Sequence, residues 1–217
     1  MLGAPVSGDP PQVYLVRQGE TAWSLSGQST GRTDIPLTER GERDAQALTA
    51  RLKGLSFVNV LTSPLQRAQR TAELAGFGKL ADVDDDLAEW DYGAYEGRRT
   101  ADIRAERPSW RLLEDGCPNG EMLAAGSLRA DRVIGRIRAL SGDTSGNMNG
   151  NTLVFPHRDI LRVFAARWLG LHAVKARRLY LDTASVSILV ITTICKSRSF
   201  DCGTTHGTDR ANSSELT

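Results

Sequence analysis

Short apolar runs alternate along this chain with longer stretches in which hydrophobic residues recur every three or four positions. The short runs cover residues 13–16, 58–62, 152–155 and 184–190, and their Val, Leu and Ile content predicts β-strands. The longer period predicts helices over 38–52, 64–75, 124–140 and 159–169. Thr38 is a suitable N-cap for the first helix, and Gly76 a suitable end for the second. Alternating strands and helices of this kind predict an α/β sandwich.

The same pattern divides the chain into one domain and two ends. Residues 1–11 are rich in Gly and Pro, which predicts a flexible N-terminus, and 12–190 carry the alternating pattern of a single domain. Within it, the Gly-, Asn- and Ser-rich residues 141–151 are expected to form a loop. Residues 191–217 keep neither a helical nor a strand period and form an atypical tail, which we expect to be poorly ordered.

The composition of this tail prompts a hypothesis about its origin. Permitted codons for the residues after about 190, read in a shifted frame, give Tyr-His-His-Leu-Gln-Glu-Pro-Val-Ile-Arg-Leu-Trp-Asn-Asp-Thr. That alternative reading suggests a frameshift near residue 190. We therefore expect the tail to be out-of-frame translation, from gene decay or a sequencing error, which the nucleotide sequence would decide.

Composition limits the classes of function. The chain has 217 residues, 40% hydrophobic and 24% charged, with a net charge of +1, which suits a single globular domain and argues against general nucleic-acid binding. No apolar run is long enough to cross a bilayer or serve as a signal peptide, so no membrane partner is expected and the cytoplasm is the default location. Three cysteines, Cys117, Cys195 and Cys202, match no zinc pattern and suggest reduced thiols.

Candidate chemistry begins where the first apolar strand runs into the turn Arg17-Gln18-Gly19-Glu20. Guanidinium groups can each grip two phosphate oxygens, so Arg17, together with Arg67 farther along, suits an anionic ligand. On residue type alone, however, both are more often solvated surface arginines. Glu89 alone is more often a solvent-facing acid than a catalyst, and His157 more often a hydrogen-bonded structural histidine. The order of the surrounding motifs reverses these preferences.

Those motifs resemble the histidine phosphatase superfamily, the phosphoglycerate-mutase-like group, over about 13–187. Arg17-Gln18-Gly19-Glu20 looks like the Arg-His-Gly-Glu signature, and residues 27–34, with Ser24 before them, like the loop that closes over substrate phosphate. Thr62-Ser63-Pro64-Leu65-Gln66-Arg67 resembles the second phosphate-binding element. The similarity continues in the acid/base segment Leu87-Ala88-Glu89-Trp90-Asp91-Tyr92-Gly93-Ala94-Tyr95-Glu96-Gly97 and in Phe155-Pro156-His157, the second histidine element.

The resemblance implies a three-layer sandwich with a mostly parallel central sheet flanked by helices. It also implies hydrolysis of phosphomonoesters through a phosphohistidine at the position of Gln18, with no metal or other cofactor. Glu89 would donate the proton and His157 would stabilise the phosphoryl group in transit. Substrate would contact Arg17, Arg67, Ser24, Thr30, Gly31 and Tyr92. The chain looks similar to the sedoheptulose-bisphosphatase-like and broad-specificity phosphatases in particular, so the expected partner is a small phosphorylated metabolite of the sugar-phosphate kind. The oligomeric state is left open.

Two departures from the family pattern bear on activity. Glutamine at position 18 has an amide nitrogen whose lone pair is delocalised into the carbonyl, so it can bind phosphate but should not attack it. The second histidine is usually followed by glycine, whereas this chain has Arg158 and Asp159. We expect the extra side chain and the added negative charge to weaken or reshape substrate binding.

Several readings of the function remain open. The first is a phosphomonoesterase impaired at its nucleophile, and the second a pseudophosphatase that binds phosphorylated ligands without turnover. A mutase ranks lower because mutases usually carry a longer middle insertion, and His157 as a substitute nucleophile ranks lowest. Arginines 98, 99, 104, 107 and 111 are expected to form a solvated face, with a smaller chance that some guide a second substrate phosphate.

Overall fold

The computed structural model describes residues 11–140 and 150–190. In these residues the strands are β1 Gln12–Val16, β2 Phe57–Thr62, β3 Ala81–Val83, β4 Asn151–Phe155 and β5 Val186–Val190. The α-helices are α1 Ala22–Ser26, α2 Glu39–Leu52, α3 Gln66–Leu74, α4 Thr100–Glu106, α5 Leu112–Asp115, α6 Leu123–Leu140 and α7 Arg158–Trp168. Short 3-10 turns cover Asp85–Leu87, Gly93–Tyr95 and Ala173–Arg178.

The strands form one sheet in the order β3-β2-β4-β1-β5. All neighbouring strands are parallel except β5, which runs antiparallel to β1. Because β1, β2 and β4 point the same way, their carboxyl ends meet at one edge of the sheet, where α/β folds place their binding sites.

Helices cover both faces of the sheet, because side chains of successive strand residues point to opposite faces. Val13 and Leu15 of β1 belong to a core with the apolar residues of α6 and α7. Tyr14 and Val16 belong to a second core with Leu48 of α2 and Ala72 of α3. The predicted three-layer α/β sandwich with a mostly parallel sheet is therefore confirmed.

Local sequence explains most element boundaries. The Thr38 hydroxyl accepts the Gly41 N–H at 3.0 Å and caps α2, as predicted. Gly76, with a φ of 92°, lies just past α3. The second predicted helix starts later than expected, at Gln66, because Pro64 and Leu65 form a bend first. The last strand also starts later, at Val186 instead of 184.

Four elements were not predicted: β3, α1, α4 and α5. The expectations for residues 1–10, for the loop over 141–149 and for the 191–217 tail fall outside the described residues. Within 11–140 and 150–190, no helix combines the length and the apolar character needed to cross a bilayer.

Candidate active site

The carboxyl end of β1 is held from both sides by main-chain hydrogen bonds. The Arg17 N–H donates to Ser185 O at 3.1 Å and the Gln18 N–H to Pro156 O at 3.2 Å. In return, Gln18 O accepts the Ala184 N–H at 3.2 Å. The backbone at position 18 is therefore fixed by the segments beside β4 and β5, whichever side chain it carries.

Two arginines bring buried positive charge to this edge of the sheet. Arg17 is 8% exposed and Arg67 is fully buried, and burial lowers the pKa of each guanidinium. Arg17 donates through Nη1 to Leu181 O at 2.6 Å, and Arg67 donates to the carbonyl oxygens of Thr33 and Gly31 at 2.9 and 2.8 Å. The Nε atoms of both arginines lack a hydrogen-bond partner among the described residues. Each guanidinium thus keeps a donor for a further acceptor.

The loop predicted to close over phosphate is fixed by Arg67 and by a glutamate from the acid/base segment. Glu96 Oε1 accepts the N–H groups of Gly31 and Thr33 at 2.8 and 3.1 Å. A Cβ atom at Gly31 would lie 2.3 Å from Trp90 O, so only glycine allows the loop to pack this closely. The loop and the acid/base segment therefore form one rigid wall.

His157 follows β4 and is fully buried. Its Nε2 lies 2.6 Å from the Ser63 hydroxyl at the end of β2, while Nδ1 has no partner among the described residues. Burial, followed by the charges of Arg67 and Arg17, holds the pKa of His157 well below 6.5. The imidazole is therefore neutral near pH 7.

Glu89 is buried at the N-terminus of α7. Its carboxylate accepts the N–H groups of Trp90, Asp159 and Ile160 at 2.9 to 3.2 Å, which satisfies the first free amides of that helix. Burial, followed by the charge of Asp159, raises the pKa of Glu89 above 4.5 despite these hydrogen bonds. A carboxyl group in this state can keep a proton for donation.

Asp159 lies beside Glu89, and its pKa moves in the opposite direction. Its carboxylate accepts the Tyr92 hydroxyl and pairs with Arg158 and Arg162, each at 3.0 Å. Burial alone would raise the pKa of Asp159, but the charges of Arg158 and Arg162 lower it to about 2. The negative charge that the sequence led us to expect near the phosphate site is thus offset by two guanidinium groups.

The remaining predicted residues line the edge of this region. The Thr30 Oγ1 atom is buried without a partner among the described residues. Ser24 uses its hydroxyl in the capping box of α1 with Thr21 and lines a cavity that also contains Arg17. Sequence reasoning missed Ser63 and Glu96 as positioning residues, although both lie inside the quoted motifs.

The structure brings Arg17, Gln18, Arg67, Glu89 and His157 together. The charge of Glu89 acts on both Arg17 and Arg67, and both arginines act on His157. The Gln18 side chain is 5% exposed, and its Oε1 has no partner among the described residues. Buried cationic donors, a neutral histidine and a protonatable carboxyl group define a site suited to a phosphoryl group.

Comparison with known proteins agrees with this class of site. Residues 13–196 match the family model described as the histidine phosphatase superfamily, branch 1. Sedoheptulose 1,7-bisphosphatase of Saccharomyces cerevisiae is 39% identical, over 74% of this chain and 68% of that protein. An acid phosphatase of Mycobacterium tuberculosis is 38% identical, over 82% of this chain and 85% of the relative. A probable phosphoglycerate mutase of Cronobacter sakazakii is 37% identical, over 81% of this chain and 83% of the relative.

Solved structures give the same result. An M. tuberculosis open-reading-frame product superposes with a TM-score of 0.74 at 36% identity, covering 82% of this chain and 90% of the other. A putative α-ribazole-5′-phosphate phosphatase of Escherichia coli superposes with a TM-score of 0.72 at 30% identity, covering 83% of this chain and 90% of the other. The chain belongs to branch 1 of the histidine phosphatase superfamily and has its phosphatase/mutase scaffold.

Proposed function

We propose that this chain binds small phosphorylated metabolites of the sugar-phosphate kind, and that Gln18 impairs their hydrolysis. The observation that carries the proposal is a group of buried nitrogen atoms at this site without partners among the described residues, which are Nε of Arg17, Nε of Arg67 and Nδ1 of His157. A phosphate dianion would accept from the two guanidinium groups and offset the cost of burying them.

The neighbouring residues support the same chemistry. In a chain with histidine at position 18, the imidazole would attack phosphorus and the P–O bond to the sugar would break. Glu89 would give its proton to the leaving alkoxide and would then take a proton from the water that hydrolyses the phosphohistidine. His157, Arg17 and Arg67 would hold the phosphoryl oxygens throughout.

Glutamine removes the first step of this sequence and leaves the binding groups in place. Loss of a nucleophile in other covalent enzymes lowers turnover by about 10^4 to 10^6. The two functional readings, an impaired phosphatase and a non-catalytic binding protein, therefore differ in residual turnover and share the ligand. A mutase role, named for one of the relatives, ranks below both, and so does attack by His157.

The proposal is tested by phosphate release from sedoheptulose 1,7-bisphosphate and from p-nitrophenyl phosphate. Three proteins are compared: the parent, Gln18→His, and Gln46→His, which places the same substitution on the exposed face of α2. Calorimetric titration with inorganic phosphate reports binding in each.

We expect all three proteins to bind phosphate and only Gln18→His to gain turnover, by about 10^4 or more. A parent as active as Gln18→His would refute the role given to Gln18. Binding without turnover in both Gln18→His and the parent would assign the chain to the binding proteins. Absence of phosphate binding would remove the proposal altogether.

A further inference from the structure

A buried ion pair lies behind the acid/base segment and outside the motifs of the sequence. Glu121 precedes α6 and Arg129 lies within it, and the two residues are 9% and 8% exposed. Arg129 donates from Nε and from Nη2 to the two carboxylate oxygens of Glu121, each at 2.7 Å. Two parallel hydrogen bonds between a guanidinium and a carboxylate have one geometry, so each partner fixes the other.

The pair also bonds the main chain on both sides of Glu89. Its guanidinium donates through Nη1 to the carbonyl oxygens of Asp86 and Ala88, at 2.8 and 2.7 Å. After Glu89, the Asp91 N–H donates to the carboxylate of the pair at 3.4 Å, and Asp91 O accepts the Glu121 N–H at 2.8 Å. The backbone is therefore held immediately before the acid and again shortly after it.

Helix α6 lies close enough to make these contacts because position 126 is glycine. A Cβ atom at Gly126 would lie 2.6 Å from the Trp90 ring. Arg129 is three residues farther along and so lies on the same face of the helix. Two more arginines of α6, both exposed, pair with the side chains of Asp84 and Asp86. These exposed pairs stay when position 129 is changed, so such a change releases only the main chain next to the acid.

A proton donor needs a fixed place, since a displacement of about 1 Å can lower a rate by about 10^2. We propose that Glu121 and Arg129 form a positioning pair for Glu89, which keeps its carboxyl group at the start of α7, where it can protonate the leaving oxygen. This inference rests on the proposed function, because Glu89 is the proton donor there. Neither member of the pair lines the cavity that contains Arg17, so the pair acts through Glu89 and not on the ligand.

The test replaces the whole pair, because removing one partner alone would leave a buried charge. In the double variant Glu121→Met/Arg129→Met, two apolar side chains take the place of the pair. Arg129→Lys is a second variant, which keeps the charge but cannot bond all four acceptors of the guanidinium. The control, Asp131→Met/Arg167→Met, removes another bidentate pair of α6, at 2.8 and 2.9 Å, whose hydrogen bonds do not involve the acid/base segment. Thermal unfolding checks that all proteins are folded.

The first measurement is the pKa of Glu89 in the parent background, where it needs no turnover. It is read from the carbon-13 NMR shift of the carboxyl group in glutamate-labelled protein, with Glu89→Gln for the assignment. In the parent, burial holds this pKa above 4.5. The double variant should let water reach the carboxyl group and bring the pKa down toward 4.5, whereas the control should not move it. The ionisable groups around Glu89 stay in every variant: Asp159, Arg158, Arg17, Arg67 and Tyr92.

The second measurement is kcat and KM in the Gln18→His background, with sedoheptulose 1,7-bisphosphate and p-nitrophenyl phosphate. Release of the sugar alkoxide needs the proton of Glu89, so the double variant should lower kcat for the sugar phosphate by about 10- to 100-fold. KM should stay within ~3-fold, because the phosphate-binding groups are unchanged. The rate on p-nitrophenyl phosphate should fall much less, since its leaving group needs no proton. Arg129→Lys should show the same pattern with a smaller loss.

A Glu89 pKa that is the same in the parent and in the folded double variant would overturn the positioning pair, and so would an equal fall in the control. Equal losses of kcat on the two substrates would overturn it as well, because the pair would then support the fold in general. If the double variant does not fold, Arg129→Lys decides in its place. If Gln18→His hydrolyses neither substrate, the proposed function fails, while the pKa measurement still decides whether the pair places Glu89.

Discussion

The backbone N–H of Asp159 donates to both carboxylate oxygens of Glu89, at 3.2 Å each. Two acids are thereby adjacent at the start of α7, yet their pKa values move apart. Among the described residues, the carboxylate of Glu89 accepts hydrogen bonds from backbone N–H groups and its pKa is raised by burial and by the charge of Asp159, whereas Asp159 pairs directly with two arginines. Such separation of two carboxyl groups gives one the role of proton donor and keeps the other ionised.

Asp159→Asn should lower the free energy of unfolding by about 3 kcal/mol at pH 7, because it leaves Arg158 and Arg162 without their buried carboxylate. The pKa of Asp159 is lowered from 3.8 to about 2, so its contribution is present above pH 4 and is lost as the pH falls toward 2. The deficit should therefore shrink by about 1 kcal/mol at pH 3. Urea unfolding of the parent and of Asp159→Asn at pH 7 and at pH 3 measures the loss of unfolding free energy at each pH. A loss that is independent of pH would contradict the ionic explanation.

Glu89→Gln, made in the Gln18→His background, should slow hydrolysis of a sugar phosphate by about 10^2 to 10^4-fold. The sugar alkoxide needs a proton to leave, whereas p-nitrophenolate does not. The rate of p-nitrophenyl phosphate hydrolysis should therefore fall much less in the variant. Because the pKa of Glu89 is raised, sugar phosphate hydrolysis by Gln18→His should persist above pH 4.5 and decline as the pH rises through the Glu89 pKa. Equal losses on the two substrates would show that Glu89 only supports the structure.

Arg67→Lys should weaken phosphate binding by ~10- to 100-fold, because an ammonium group cannot hold Gly31 O, Thr33 O and a phosphate in one plane. Arg70→Lys is the matched control, one turn of α3 away from the site and paired with Glu42 and Glu73 on the surface. It should change the phosphate Kd by less than ~2-fold, since exposed ion pairs contribute little. Similar losses of phosphate affinity in both variants would show that the effect comes from a disturbance of α3 and not from the Arg67 guanidinium.

Gly31→Ala should destabilise the fold by about 1–3 kcal/mol, since the new methyl group would overlap Trp90 O and Glu96. Phosphate affinity should fall as well, because Gly31 O positions Arg67. Gly135→Ala in α6 meets no atom within 4 Å and should stabilise by about 0.5–1 kcal/mol through helix propensity. Thermal unfolding and phosphate titration of the pair separate local crowding from the general effect of an added methyl group.

The sequence predicted the elements with strong periodicity and missed the weak ones. Strands β1, β2 and β4 and helices α2, α6 and α7 are buried on at least one face, so their apolar pattern is visible. Strand β3 has only three residues, half-exposed or exposed, and α5 has four residues. Neither is long enough to show a period, and both are held by tertiary contacts.

The site could be predicted only where a residue lies in a recognisable motif. Arg17, Arg67, Glu89 and His157 were named in advance on that basis, and their catalytic and binding roles stay predictions. The pairing of Asp159 with Arg158 and Arg162 could not be foreseen, because a sequence gives charges without their distances. Glu121 and Arg129 lie outside the quoted motifs. Only the fold reveals that they bond the main chain on both sides of Glu89.

The main-chain hydrogen bonds that hold position 18 have a practical consequence. Because Pro156 O and the Ala184 N–H hold the backbone there, exchanging the Gln18 side chain leaves these main-chain hydrogen bonds in place. Under the proposed function, the parent chain would retain a phosphorylated metabolite that Gln18→His would release as product. The immobilised parent chain would capture the natural ligand from a cell extract, and immobilised Gln18→His would be the control that turns the ligand over.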